Sequence, residues 1–138
     1  MLEHFPPDRI WSVLIADDHE IVRKGVAAVL SSRTDLNVCD EASNGEEAVD
    51  KALTLLPDLV MLDVSMPVIG GFTAARIIRK ALPCVPILVL SVHEGSQIVQ
   101  AARVFGAHGF VSKGDICAVL LNAVDALLQG QTYFPDSA

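Results

Sequence analysis

Five polar residues stand where short apolar runs end, and together they could carry phosphoryl chemistry. They are Asp17, Asp18, Asp63, Ser91 and Lys113. Three carboxylates that are brought together raise each other's pKa unless a cation joins them. A hard divalent ion such as Mg²⁺ suits an oxygen-only site of this kind, and it prepares the site for the oxygens of a phosphoryl group.

Each of these groups has a distinct task in such a site. Asp63 is the best nucleophile, since a carboxylate can form an acyl phosphate. Lys113 supplies a mobile positive charge for one phosphoryl oxygen, and the hydroxyl of Ser91 can donate to another. Taken singly, the residues have plainer interpretations: Asp17 and Asp18 as a helix N-cap pair, and Asp63 as a cap or loop residue. Only the combination favours chemistry.

The elements that must position these residues alternate in type along the chain. Apolar runs predict five strands, at 13–16, 36–39, 59–62, 87–90 and around 110–111. Segments with helical spacing lie between and after them. Because parallel strands need crossover connections, we expect an α/β fold: a flavodoxin-like, doubly wound, five-stranded parallel sheet in the order 2-1-3-4-5 with five helices. Its ligands should bind beyond the carboxyl ends of strands 1 and 3.

Local signals predict where the helices begin and end. Ser43 and Glu46 form a capping box that opens the second helix, which stops before Pro57. The remaining signals are single residues. They are Gly71 and Thr73 ahead of the third helix and Pro83 after it, Ser96 at the start of the fourth and Gly106 beyond its end, and Asp115 as cap of the fifth, which runs through Leu128 to Gly130.

Composition places the chain among single-domain globular proteins. Of its 138 residues, 51% are hydrophobic and 20% are charged, so it can bury one core and is not a disordered chain. The formal net charge of −7 disfavours direct nucleic-acid binding, which needs clustered Lys and Arg. We divide the chain into an irregular lead-in at 1–11, one domain at 12–130, and a tail or linker start at 131–138.

Cysteine usage and the absence of long apolar runs bear on the compartment. Cys39, Cys84 and Cys117 are far apart and set among apolar residues, which predicts buried free thiols in a reducing compartment. No signal-peptide pattern opens the chain, and no apolar run reaches the roughly 20 residues that span a membrane. We therefore expect a cytoplasmic protein without membrane contact.

Several motifs, in a fixed order, make the chain similar to a known family. They are LIADDHEIVRKG at 14–25, SNGEEAV at 43–49, LVMLDVSMPVIGG at 59–71, VLSVH at 89–93 and GAHGFVSKG at 106–114. With these motifs, residues 12–130 resemble the receiver domain of two-component response regulators. Asp63, followed by Met66-Pro67 and Gly71, resembles the phosphoacceptor loop of that family.

The resemblance implies roles for the acidic residues. Asp63 would accept a phosphoryl group from a phosphohistidine of a sensor histidine kinase. Mg²⁺ would be held by Asp18 directly, by Asp17 through water, by Asp63, and by the backbone carbonyl of Ser65. The protein would catalyse only its own phosphorylation and dephosphorylation, so it would not be an enzyme in the usual sense.

The resemblance also implies roles for residues around the phosphoacceptor. Ser91 and Lys113 would bind the phosphoryl group, and Phe110 would follow the hydroxyl of Ser91 inward as a switch. Phe110 lacks the hydroxyl of the commoner Tyr, and permanent burial in the core is the alternative. Ser65 and His93 would tune the dephosphorylation rate; for His93 the alternative is a solvated loop histidine.

The subfamily is indicated by DDHEIVRKG, by the segment from SVHEG to VSKG, and by GQTYFP near the end. These resemble NarL/FixJ regulators, which carry a LuxR-type helix-turn-helix domain. We expect transcription to be regulated through such a domain, which is absent here, and no direct DNA binding by this one. The alternatives are a stand-alone receiver and a receiver-like interaction domain that is never phosphorylated.

Helix 5 carries a hint of self-association. One apolar stripe is enough to cover the sheet: Ile116, Val119, Leu120, Ala123, Val124 and Leu127. Cys117, Leu121 and Leu128 add a second stripe at helical spacing, which favours a phosphorylation-dependent homodimer. Deeper burial of the second stripe is the alternative.

Two other function classes fit the sequence less well. A phosphatase of the haloacid dehalogenase type needs a second acid two residues after the nucleophile, where this chain has Ser65. A flavodoxin that binds FMN needs a hydroxyl- and glycine-rich first loop as a phosphate cradle. Asp17 and Asp18 would instead repel a phosphate that came without a cation.

Overall fold

The computed structural model describes residues 9–135, and these residues form one five-stranded parallel sheet. The strands are β1 (Trp11–Ala16), β2 (Leu36–Ala42), β3 (Leu59–Asp63), β4 (Ile87–Ser91) and β5 (Gly109–Ser112). Their spatial order is β2-β1-β3-β4-β5, and every neighbouring pair is parallel. The predicted fold class and strand order are confirmed. β1 begins at Trp11, within the segment that was expected to be an irregular lead-in.

Helices connect the strands and cover both faces of the sheet. They are α1 (Glu20–Ser31), α2 (Gly45–Leu55), α3 (Gly71–Ala81), α4 (Ser96–Val104) and α5 (Ile116–Leu128), with a short 3₁₀ turn at Lys113–Asp115 before α5. No helix within 9–135 is long and apolar enough to cross a membrane.

The core consists of two layers, one on each face of the sheet. Alternate residues of a strand point to opposite faces, so Val60 and Leu62 lie in the layer that contains α2 and α3, while Leu59 and Met61 lie in the layer that contains α1 and α5. Every residue of β3 and of β4 is buried. These two strands are therefore the doubly covered centre that continuous apolar runs predict.

The second helix begins one residue later than the predicted capping box. Asn44 is the N-cap, and its side chain accepts a hydrogen bond from the backbone N–H of Glu47 at 2.8 Å. Glu47 in turn accepts from the backbone N–H of Ser43 at 2.6 Å. The predicted capping box of Ser43 with Glu46 was wrong because Asn caps a helix as well as Ser does. Asn44 and Glu47, each one residue later, take the places of Ser43 and Glu46.

Two other predicted helix starts also need correction. Asp115 precedes α5 but makes no side-chain cap; Ser112 instead accepts from the backbone N–H of Gly114 at 3.3 Å and opens the 3₁₀ turn. Gly71 does not precede α3 but is its first residue, and Thr73 lies inside it. A Cβ at Gly71 would collide with the carbonyl oxygen of Asp63, so the loop after β3 can fold back this tightly only on glycine.

The end of the fourth helix follows the prediction. Gly106 lies beyond α4 with a φ of +101°, which glycine adopts without steric cost. Its N–H donates to the carbonyl of Arg103 at 3.1 Å, and the N–H of Ala107 donates to the carbonyl of Ala102 at 2.9 Å. This pair of bonds is a Schellman motif.

The cysteines are free, as predicted, but only Cys39 is half-buried. Cys84 and Cys117 are exposed, so the prediction of buried thiols was wrong for these two. Cys84 lies in the connection between α3 and β4, and Cys117 lies in the first turn of α5 on the side away from the sheet. Apolar neighbours in sequence do not determine the side of a helix or loop on which a residue falls.

The chain beyond α5 returns to the edge of the sheet. The N–H of Phe110 donates to the carbonyl of Tyr133 at 2.8 Å, and the N–H of Tyr133 donates to the carbonyl of His108 at 3.0 Å. On α5 itself, Leu120, Ala123, Val124 and Leu127 are buried as the sheet-covering stripe requires. In the second predicted stripe, Leu121 and Leu128 pack partly against the same core, while Cys117 is exposed.

Candidate acidic site at the carboxyl edge of the sheet

The predicted site residues come together because parallel strands end at the same edge. Asp17 directly follows β1, Asp63 is the last residue of β3, Ser91 is the last residue of β4, and Lys113 directly follows β5. β1 lies between β2 and β3, so the strand order reverses between β1 and β3. This is the position at which open α/β sheets bind their ligands.

Lys113 joins the two buried carboxylates. Its Nζ lies 2.7 Å from Oδ2 of Asp17 and 3.1 Å from Oδ1 of Asp63. The side chains of Lys113, Asp17 and Asp63 are only 10%, 1% and 4% exposed. One ammonium therefore serves two carboxylates that are removed from water, which leaves a local excess of negative charge.

Each of these carboxylates keeps its second oxygen for another partner. Oδ1 of Asp17 accepts the backbone N–H of His19 at 2.8 Å. Oδ2 of Asp63 is buried and has no hydrogen-bond partner within the described residues. Buried carboxylate oxygens are ordinarily paired, so an unpaired one beside two more acids is the arrangement that a cation would complete.

The cluster has the dimensions of a metal site. Asp17, Asp18, His19 and Asp63 each offer one ligand atom, and these atoms all lie within 4.8 Å of one another. The side chain of Asp18 is the most open of the three acids, at 32% exposed, so solvent reaches the cluster from that side. Carboxylate oxygens with access for water fit a hard divalent ion.

The electrostatics of the cluster agree with its geometry. Burial raises the pKa of Asp63 above its usual value; the hydrogen bond from Lys113 opposes this, and the charges of Asp17 and Asp18 add to it. Burial alone lowers the pKa of Lys113, but the hydrogen bonds to Asp17 and Asp63 outweigh it, so that pKa is raised. Lys113 is therefore held as a cation, while the charge on Asp63 is disfavoured without a further positive group.

Ser91 and Phe110 lie on the next two strands. Ser91 is buried, and its Oγ accepts the backbone N–H of His93 at 2.9 Å, so the hydroxyl hydrogen remains available to a ligand. Phe110 is 2% exposed and packs in the same core layer as Val89, its partner on β4. The aromatic ring is thus inside the protein in this state; its movement stays a prediction.

The two remaining predicted residues flank the site from loops. Ser65 and His93 are both exposed, and their roles stay predictions. The loop that contains Ser65 is closed by the N–H of Gly71, which donates to the carbonyl of Val64 at 2.9 Å. Val68 in this loop has a φ of 73°, a conformation that is costly for a β-branched residue and that tends to occur at functional sites.

Two contacts of the site were not foreseen from the sequence. Nδ1 of His19 lies 3.2 Å from Oδ1 of Asp18 and 3.4 Å from Oδ1 of Asp17. Arg23 donates to the backbone carbonyl of Asp17 at 2.7 Å and pairs with Glu41 at 2.7 Å, which anchors the loop after β1. For His19 the signal was its position directly after the acidic pair; Arg23 had no comparable signal.

Comparison with known proteins gives a consistent result. The family model of the response regulator receiver domain matches residues 13–125. The transcriptional regulatory protein LnrK of Bacillus subtilis (strain 168) is 36% identical over 123 residues, which are 89% of this chain. The response regulator UvrY of Escherichia coli (strain K12) is 38% identical over 122 residues, which are 88% of this chain. The chain spans 56% of the length of each of these relatives.

Solved structures agree in fold and in subfamily. A LuxR-family two-component response regulator from Aurantimonas sp. SI85-9A1 has a TM-score of 0.86 at 33% identity, over 90% of this chain and 89% of that one. The signal receiver domain of the putative response regulator NarL from Mycobacterium tuberculosis has a TM-score of 0.84 at 32% identity, over 89% and 99%. This chain therefore belongs to the family of response regulator receiver domains, of the type found in NarL and LuxR-family regulators.

Proposed function

We propose that this domain is a phosphorylation switch of a two-component system, in which Asp63 accepts a phosphoryl group from a sensor histidine kinase. The observation that carries the proposal is the buried Oδ2 of Asp63, which has no hydrogen-bond partner within residues 9–135. Its neighbour Oδ1 is held by Lys113 at 3.1 Å. A rigidly held carboxylate beside an ammonium, with a position left for a metal ion at its other oxygen, is prepared to act as a nucleophile.

The transfer follows from this arrangement. An oxygen of Asp63 forms a bond to phosphorus while the N–P bond of the phosphohistidine breaks, and the electron pair of that bond stays on the imidazole nitrogen. Lys113, 10% exposed and held as a cation, then compensates the charge of the phosphoryl oxygens. The hydroxyl of Ser91 is within the same edge and can donate to another of these oxygens.

Mg²⁺ fits the residues that are present. Asp17, Asp18, Asp63 and the backbone carbonyl of Ser65 would hold it, and the unpaired oxygen of Asp63 supports that assignment. When bound, the ion supplies positive charge for the carboxylates and for the phosphoryl oxygens. The raised pKa of Asp63 supports the assignment, because a further positive charge would favour the carboxylate form.

We infer that the switch passes from Ser91 to Phe110. If Ser91 turns to a phosphoryl oxygen, its bond to the N–H of His93, 2.9 Å long, must change, and the loop after β4 moves with it. Phe110 lies beside that loop on β5 and has no hydroxyl to restrain its ring. A local charge change would thus alter packing on the surface of α4, β5 and α5 and favour a homodimer. Ser65 and His93, exposed beside the site, would set how fast water removes the phosphoryl group.

The output is proposed to be transcriptional and to act through a further domain. One relative is itself called a transcriptional regulatory protein, and the chain spans 56% of its length. A net charge of −7 disfavours direct contact of this domain with DNA. Its proposed partners are a sensor kinase and a second copy of itself, without DNA or a membrane. We place it in the cytoplasm, and its only catalysis is its own phosphorylation and dephosphorylation.

Intact-mass measurement tests the proposal. Incubation with acetyl phosphate and Mg²⁺ should add one acid-labile phosphoryl group to the wild type and none to Asp63→Asn. Asp58→Asn is the matched control, since it changes the carboxylate at the opposite end of β3, and it should still be phosphorylated. Absence of a mass gain in the wild type, or an equal gain in Asp63→Asn, would show that the proposed phosphoacceptor is wrong.

A further inference from the structure

His19 is positioned as a member of the acidic cluster and not only as its neighbour in sequence. Its Nδ1 lies 3.2 Å from Oδ1 of Asp18 and 3.4 Å from Oδ1 of Asp17. It is the N-cap residue of α1 but makes no side-chain cap. Its backbone N–H is tied to Asp17 at 2.8 Å. The main chain thus holds residue 19 beside the cluster. Its imidazole is 66% exposed, and it faces the two carboxylates without any capping contact that would explain this orientation.

These distances are those between ligands of one octahedral ion. Metal–ligand bonds of about 2.1 Å place adjacent ligand atoms about 3.0 Å apart and opposite ones about 4.2 Å apart. The contacts of His19 at 3.2 and 3.4 Å are close to the adjacent spacing. The full set of Asp17, Asp18, His19 and Asp63 lies within 4.8 Å, so one centre can reach every member with small adjustments of the side chains.

A second observation points to a cation at this place. Lys113 occupies Oδ2 of Asp17 and Oδ1 of Asp63. The oxygens that remain are Oδ1 of Asp17, on the side of His19, and the buried Oδ2 of Asp63, which has no partner within the described residues. The ammonium and the imidazole therefore approach different oxygens, which leaves a position that Lys113 does not fill.

We propose that His19 supplies a nitrogen ligand through Nδ1, so that this site binds borderline ions such as Mn²⁺ and Co²⁺ more tightly than its carboxylates alone would allow. The inference rests on the proposed function, because it uses the same metal site. Imidazole nitrogen suits transition ions, whereas Mg²⁺ prefers oxygen. The proton of the neutral ring then resides on Nε2. In a contrasting arrangement, His19 only hydrogen-bonds the two carboxylates and thereby competes with the metal.

Pulsed electron paramagnetic resonance of bound Mn²⁺ distinguishes these arrangements, because it detects the nitrogen nucleus of a coordinated imidazole. The wild-type protein with Mn²⁺ at pH 8 should show nitrogen modulation, and His19→Gln should lose it. His93→Gln is the matched control: it removes an exposed histidine from another loop of the same edge and should keep the signal. Since His19 makes no side-chain cap, the substitution leaves the start of α1 intact.

Metal affinity by calorimetry gives a second readout. We expect His19→Gln to weaken Co²⁺ binding roughly tenfold or more and to change Mg²⁺ binding by less than about twofold, since only the transition ion gains from nitrogen. Equal losses for both ions, unchanged Co²⁺ binding, or tighter binding would overturn the inference. Tighter binding would show that His19 competes with the metal for the carboxylates.

Failure of the proposed function has a different signature. If Mn²⁺ does not bind the wild type, or binds Asp63→Asn equally well, the metal site itself is wrong and the inference falls with it. If Mn²⁺ binds the wild type and is weakened in Asp63→Asn but shows no nitrogen modulation, the proposed site stands and only the ligand role of His19 is refuted.

Discussion

An aspartate lies at each end of β3, and the two differ in the number of hydrogen-bond donors around them. Asp58, directly before the strand, accepts the backbone N–H of Ser12 at 2.8 Å, the hydroxyl of Ser12 at 3.3 Å and a guanidinium N–H of Arg9 at 3.1 Å. Asp63, the last residue of the strand, shares Lys113 with Asp17 and has one buried oxygen without a partner in the described chain.

The difference separates a structural carboxylate from a reactive one. Asp58 is 29% exposed and well supplied with donors, and its hydrogen bonds close the amino end of the sheet. Asp63 is 4% exposed, has Lys113 as the donor to one oxygen only, and its pKa is raised by burial. The carboxyl end of β3 thus carries a carboxylate with a perturbed pKa, which is typical of functional sites. Four predictions test how far this contrast extends.

The largest effect is expected for Lys113→Ala without divalent ions. It leaves Asp17 and Asp63 buried with no cation, and breaking a buried ion pair lowers the free energy of unfolding by about 3 kcal/mol. Urea denaturation in chelator measures the loss, and added Mg²⁺ should restore part of it. Lys24→Ala is the control, because Lys24 is 59% exposed in its pair with Glu41 and such pairs contribute little. A loss no larger than that of Lys24→Ala would contradict the reading of Lys113.

The next effect is expected for Asp58→Ala. It removes the acceptor of the Ser12 backbone N–H and the partner of Arg9, so the free energy of unfolding should fall by about 2 kcal/mol. Mg²⁺ should not change this loss, in contrast to Lys113→Ala. Asp50→Ala, at an exposed position of α2, should stay within about 0.5 kcal/mol of wild type. If Mg²⁺ rescues Asp58→Ala, the two ends of β3 are not independent.

A smaller effect of opposite sign is expected for Asp63→Asn. Because the folded-state pKa of Asp63 is raised, its charge destabilises the fold, so the variant should be more stable than the wild type at pH 7 without metal. A raised folded pKa stabilises the wild type only below the unfolded value of about 3.9. The advantage of Asn should therefore be absent below about pH 4 and grow as the pH rises through the folded pKa. A gain that is constant across this range would contradict the assigned cause.

The smallest effect is expected for Ser12→Ala. The hydroxyl of Ser12 donates to Asp58 at 3.3 Å and accepts the N–H of Asp58 at 3.2 Å, but the stronger backbone contact at 2.8 Å remains. We expect a loss of about 0.5–1 kcal/mol, as for one neutral hydrogen bond. Thermal denaturation beside Asp58→Ala measures it. A loss as large as that of Asp58→Ala would show that Asp58 is stabilised mainly by the hydroxyl of Ser12 and not by its backbone N–H.

Much of the fold and of the site follows from local patterns. The alternation of apolar runs and helical segments identified β1 to β5 and their helices, since each pattern is set by neighbours in sequence. Parallel geometry then placed Asp17, Asp63, Ser91 and Lys113 at one edge without any coordinates. The strand order went beyond periodicity, which carries no information on which strands are neighbours. It was expected because 2-1-3-4-5 is a common doubly wound order for five alternating strands and helices.

Other features depended on contacts between residues far apart in sequence. Lys113 is shared by Asp17 and Asp63, and it is 96 residues away from Asp17 in sequence. This sharing sets which carboxylate oxygens stay free. The N-cap of α2 is Asn44 and not the predicted Ser43. Cys84 and Cys117 are exposed because of the side of the loop or helix on which they fall. Local sequence patterns were enough to place these groups at the carboxyl edge. The division of hydrogen bonds among them could not be predicted in this way, because it depends on distances within the folded chain.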